Sequence, residues 1–156
     1  MRRTVVLALA VLLAATSGAH AAGGSDPAPA ARPSNPDYDA GKAAVEKGDF
    51  PTAITTLKRV VVTDPKNANA FNLLGFATRK SGDPRGSLQY YQQALAIDPK
   101  HIGAHEYIGE AYLMLGDVAQ AQQHLARLDQ LCVFGCKEHR MLKDAIAAHQ
   151  KSAKPK

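Results

Sequence analysis

The chain has 156 residues, of which 46% are apolar and 21% charged, with two cysteines and a formal charge of +5. That surplus sits at the ends: Arg2 and Arg3 at one, and at the other six basic residues from Lys137 to Lys156 against Glu138 and Asp144, while residues 34–131 carry ten basic and eleven acidic side chains. A nucleic-acid groove needs basic residues gathered on one face of a fold, so no nucleic-acid partner is expected.

The opening Arg2-Arg3, the apolar run from Val5 to Ala15 and the small-residue site Ala19-His20-Ala21 predict a signal peptide over residues 1–21. A transmembrane anchor would need about 20 apolar residues, and Thr16 and Ser17 close this run earlier. The expectation is an exported protein, in a bacterial periplasm or as second choice secreted, that is not integral to the membrane once cleaved. Residues 22–36 contain four prolines and little that fills a core, which predicts a disordered linker.

Beyond the linker the chain repeats itself. The pairs Gly48-Asp49, Gly82-Asp83 and Gly116-Asp117 stand 34 residues apart, and other columns keep step: Gly41, Gly75 and Gly109; Ala53, Ser87 and Ala121; Leu57, Tyr91 and Leu125; Val60, Ala94 and Leu128. A fixed period of this size marks stacked units, each burying its apolar face against a neighbour. The first unit spans 37–67, the second 68–101 and the third 102–135. Within them apolar residues such as Ile54, Leu57 and Val61, or Leu88, Tyr91 and Leu95, recur at helical spacing.

Each Gly-Asp pair falls between two such runs, where glycine can end one helix in the left-handed conformation and aspartate can cap the next. Pro51 and Pro84 follow closely, as suits a first helical turn. Asp64-Pro65 and Asp98-Pro99 close the first two units, because proline discourages helix at the residue before it. Glycine inside a helix costs about 1 kcal/mol relative to alanine, so three glycines at one period predict helices in close approach. The fold class is all-α: three helical hairpins in a stack.

These columns resemble the tetratricopeptide repeat, over roughly residues 34–133. Departures from the pattern are His105 where the second unit has Phe71, Thr78 where the third has Tyr112, and the absence of a closing proline in the third unit. The resemblance implies a right-handed α-solenoid whose first helices line a concave surface, and a protein that binds a peptide or helix of another protein without chemistry of its own. Matched columns on that surface are Tyr38, Lys42 and Val45; Asn72, Phe76 and Arg79; and Glu106, Glu110 and Leu113. Phe76 and Leu113, with Met114 and Tyr38, are expected to form an exposed apolar strip rimmed by both signs of charge. Asn72 matches one column of the site with which some family members grip a carboxylate, but Glu106 and Glu110 place negative charge where that mode needs basic residues.

In the third unit the 34-residue step puts Cys132 in the place of an Asp and Val133 in the place of a Pro. Two cysteines in an exported chain favour a disulfide between Cys132 and Cys136. The amphipathic residues Met141, Leu142, Ala145 and Ile146 predict a capping helix over 136–150, followed by a basic tail at 151–156. The alternative is metal binding (copper or zinc) or thiol exchange through Cys132 and Cys136, with His139 and His124 as further ligands. No Cys-x-x-Cys-His, Gly-x-Ser-x-Gly or His-Glu-x-x-His occurs, and Glu106 and Glu110 have no companion base, so neither an enzyme nor a cofactor is expected.

Overall fold

The computed structural model describes residues 35–152; the expected signal peptide, most of the linker and the last residues of the tail lie outside them. Among the described residues seven helices follow one another without a strand: α1 (Pro36–Glu46), α2 (Phe50–Thr63), α3 (Ala68–Lys80), α4 (Pro84–Ile97), α5 (Ile102–Met114), α6 (Val118–Leu131) and α7 (Lys137–Ser152). They form three hairpins, α1–α2, α3–α4 and α5–α6, with α7 packed on α5 and α6. No helix among them is long and apolar enough to cross a membrane.

The Gly-Asp pair works as one joint. Gly48, Gly82 and Gly116 take φ of 75°, 96° and 80°, and their N–H groups donate to Val45, Arg79 and Leu113 carbonyls while the following aspartate N–H reaches Ala44, Thr78 and Tyr112. This double closure satisfies carbonyls left open at a helix end. The same aspartates then cap the next helix, Asp49 accepting from the Thr52 N–H, Asp83 from Gly86 and Asp117 from Gln120. Asn67 and His101, one period apart, cap α3 and α5 in the same way.

Two boundaries move. Asn35 and Pro36, read as the end of the linker, are the cap and first residue of α1: the Asn35 side chain accepts from the Asp37 and Tyr38 amides, and proline needs no amide partner at that position. At the other end α7 runs to Ser152, past the expected stop at residue 150, with Lys151 in its last turn where a cation opposes the helix dipole.

The glycine column does what its cost implied in the first two hairpins. A Cβ on Gly41 would stand 2.7 Å from Leu57 Cγ, and one on Gly75 2.7 Å from Tyr91 Cε1, distances that real carbon contacts do not reach. The third member differs. The atoms nearest a Cβ on Gly109 all belong to Leu142 of α7, at 2.6 Å, and Leu125, the period's partner for Gly109, is only half-buried. Leu142 and Ile146 of the cap enter the core formed by Leu113, Ala121 and Leu128.

Cys132 and Cys136 are joined, with Cα atoms 5.6 Å apart, and Gly135 between them takes φ of 81°. The Cys136 sulfur receives the His139 amide at 3.4 Å in the first turn of α7. The bridge thus stands where the other units turn through Asp-Pro.

Thr78 explains a gap. Its hydroxyl donates back to the Leu74 carbonyl, and it lines a cleft of about 250 Å³ with Ile54, Lys58 and Tyr90. At the same column Tyr112 instead packs into the core.

Candidate functional site

The first helices of the hairpins are neighbours, α1 touching α3 and α3 touching α5, so their matched columns run across one face. The structure gathers Asn72, Phe76, Arg79, Glu106, Glu110 and Leu113 along the α3–α5 seam, and leaves Tyr38 and Lys42 on α1. Tyr38 packs half-buried on the core of the first hairpin, and Lys42 is exposed, 3.9 Å from Glu46.

Arg79 organises the seam. It is 7% exposed, its guanidinium pairs with Glu110 at 2.7 Å, and its Nε donates to the Tyr91 hydroxyl at 3.3 Å. The same guanidinium carbon lies 5.6 Å from the ring centres of both Phe76 and Tyr107. Phe76 meets Tyr107 with the ring planes tilted by 50° at 4.9 Å and Phe50 edge-on at 6.3 Å. Burial drives the Tyr91 hydroxyl far above its usual range, a push that Arg79 offsets only in part, so Tyr91 stays a neutral partner. Arg79 is therefore occupied by groups of its own chain.

The expected exposed apolar strip is not present in that form. Leu113 is buried because α7 packs over it, and Phe76 is half-buried among aromatic rings; Met114 alone of the four is largely exposed, at 56%. What lies deepest on this face is polar. Glu106 is 2% exposed and Asn72 is 7% exposed, and one oxygen of each, Glu106 Oε1 and Asn72 Oδ1, has no hydrogen-bond partner. Burial, then repulsion from Glu110 and Glu138, pushes the Glu106 carboxyl up to about 7, against the pull of Arg79 and Lys137.

The cap does more than cover an end. Its residues Ala145 and His149 form one wall of a cleft of about 610 Å³ whose other wall is Arg79, Glu110, Leu113 and Met114. Sequence reasoning missed this wall, and it missed Tyr107 as the ring between Phe76 and Tyr91. Tyr107 stands three residues before the column residue Glu110, so a helical projection of α5 would have marked it; nothing in the repeat foretold where α7 would lie.

The four side chains of the metal alternative are divided among three pairings. Cys132 and Cys136 hold each other, His139 Nε2 meets Asp129 at 2.7 Å, and His124 Nδ1 meets His105 Nδ1 at 3.0 Å. His105 Nε2 lies 3.1 Å from the Pro99 carbonyl. A carbonyl only accepts, so that nitrogen carries the proton and His124 donates across the pair. Burial lowers the affinity of both rings for a second proton, that of His124 to about 4.

Comparison with known proteins agrees with this architecture. Two models of the tetratricopeptide repeat family match residues 38–102 and 79–131. A TPR repeat-containing protein of Pseudomonas aeruginosa is 36% identical over 64 residues, 41% of this chain and 61% of that one. The chain spans 13% and 8% of two other curated relatives. Among solved structures, the TPR2B domain of yeast Sti1 in its pHsp70 complex superposes with a TM-score of 0.68 at 18% identity, covering 74% of this chain and 94% of that domain. PcrH in complex with the chaperone-binding region of PopD gives 0.65 at 19% identity, covering 76% and 91%.

Proposed function

We propose that this chain, which belongs to the tetratricopeptide repeat family, is an exported, non-catalytic adaptor that holds a peptide or helix of another protein along the face made by α3, α5 and α7. The observation that carries this reading is the α3–α5 seam itself: a 610 Å³ cleft where its C-terminal end meets α7 and, nearer the start of the same two helices, two deeply buried oxygens with unused hydrogen-bonding capacity. Leaving a buried polar group unpaired costs about 1–3 kcal/mol, a cost that a bound segment supplying donors would remove. The two superposed folds were solved with partner segments, pHsp70 in one and a region of PopD in the other. Export rests on the first 21 residues of the sequence alone.

A photocrosslinker at residue 76, introduced in the native compartment, tests the face. It should capture a defined partner that the same reagent at exposed Val62 on α2 does not. Equal capture from both positions sinks the assignment. The metal and thiol-exchange alternative gains no support from the division of its ligands among separate pairings.

A further inference from the structure

Glu106 and Asn72 occupy the same column on adjacent first helices, one period apart. The Asn72 amide reaches α5 one turn before Glu106, since a Cβ on Gly103 would lie 3.5 Å from its nitrogen. Each side chain has one oxygen without a hydrogen-bond partner, so once Glu106 ionises these two oxygens are acceptors with no matching donor.

The charges around them are out of balance. Glu106 faces Glu110 on its own helix and Glu138 on α7, with Arg79 of α3 and Lys137 of α7 as the cations. Arg79 is already spent on Glu110 at 2.7 Å, and Lys137 stands 3.9 Å from Glu138 with its side chain 75% exposed. Once Glu106 ionises, three carboxylates face two cations, and the one left over is buried. A buried unpaired carboxylate is costly enough to stay protonated instead.

We propose that Asn72 and Glu106 form a subsite for a lysine or arginine side chain of the bound segment, the carboxylate supplying the counter-charge and the Asn72 oxygen a second acceptor. The inference rests on the adaptor reading above and names the chemistry of its partner. A multi-donor cation is the one side-chain type that satisfies both acceptors and also removes the surplus negative charge. The length of its apolar stem lets a charged head reach inward from the exposed side of the seam. Glu110, one turn along with its side chain 25% exposed, is the more open carboxylate of the two on α5. Because Glu106 holds its proton near neutrality when the face is empty, seating a cation expels that proton.

The test is a selection of displayed random 12-residue peptides on the full chain, followed by binding of the recovered peptides, made synthetically with acetylated ends. The expected outcome is a recurrent lysine or arginine whose replacement by norleucine weakens binding about tenfold or more, as loss of a charged hydrogen bond does. In E106Q the norleucine exchange should matter little. Calorimetry in buffers of different ionisation enthalpy should show a proton released by the original chain near pH 6 and none by E106Q.

The variant also carries a check on its own folding. A carboxyl with its folded pKa raised to about 7 from 4.5 binds more protons folded than unfolded, so its stabilising share is full below about pH 4.5 and is lost as pH rises through 7. E106Q should accordingly melt above the original protein at pH 8. If peptides bind the face, shown by competition with the residue-76 crosslink, but without preference for a basic residue, or with the same norleucine loss in E106Q, the subsite is overturned and the adaptor reading stands. If no peptide competes with that crosslink, both fall. If E106Q fails to fold, the norleucine exchange on the original chain decides alone.

Discussion

Gly75 is the residue at which sequence and packing make opposite demands. Placing alanine in a helix interior gains about 1 kcal/mol over glycine when the space is open. Here the added carbon would meet the ring of Tyr91 at 2.7 Å, and Tyr91 is fully buried and hydrogen-bonded to Arg79, so the ring has nowhere to swing. Gly75→Ala is expected to destabilise by about 1–3 kcal/mol, the usual cost of overpacking, and the measured sign of its melting shift decides between clash and open space. Displacing that ring would also disturb the aromatic row through Tyr107 and Phe76, and with it the face the partner is proposed to use.

The column residues also show how much of the site could be read in advance. The resemblance to the repeat family marked Asn72, Phe76, Arg79, Glu106 and Glu110 as one face, and a 34-residue step keeps their angular position on successive first helices. Their depth was not legible, since it depends on partners that share no column: Arg79 is sunk by Tyr91 from a second helix, and Leu113 by Leu142 from the cap. A periodicity reports which way a side chain points and leaves out what lies above it.

Among the elements, the α5–α6 hairpin is tied by a pair of neutral imidazoles and is the acid-sensitive part of the array. His105 and His124 have folded pKa values below the ordinary 6.5, so between about 6.5 and 4 the unfolded chain binds protons that the folded chain does not. Their contribution is full above pH 6.5 and is lost as pH falls toward 4. Glu106 titrates in the opposite sense over the same interval, so in an E106Q background the denaturant midpoint should drop between pH 7 and pH 4.5. A His105→Phe, His124→Leu double variant, which puts in the third hairpin the phenylalanine that the second has at Phe71, should show a shallower drop over that interval; an unchanged slope would place the acid sensitivity elsewhere.

The cap is the other element with a distinct role. Leu142 is fully buried and shares a core with Leu113, Ala121 and Leu128. Leu142→Ala should cost about 2–5 kcal/mol, as buried leucine truncations do. Because α7 also walls the 610 Å³ cleft, hydrogen exchange in the variant should quicken along α7 and the C-terminal half of α5, while α1 and α2 keep their protection. Uniform loosening of all seven helices would contradict a local role for the cap.

At the scale of the whole molecule, the three core clusters run from the first hairpin through the middle to the cap, and most of the packing joins consecutive helices, with α7 on α5 the main exception. The helices, their turns and their order were legible because each joint is local: a glycine with positive φ, an aspartate that closes one helix and opens the next, a proline in the first turn. The cap was legible as an amphipathic helix after the broken column. Its seat was not, because the period carries no information about a helix that does not repeat.

That seat has a consequence for how the protein can lengthen. Leu142 fills the hollow over Gly109 that a side chain of the hairpin's own second helix would fill in the earlier units. The far edge of the array is thereby sealed, and a new unit appended after Leu131 would have to evict the residue that seals it. Growth by duplication is instead open within the stack, at the joins after residues 67 and 101, where each new seam copies one that already exists. The chain can gain a middle, but its terminus is already taken.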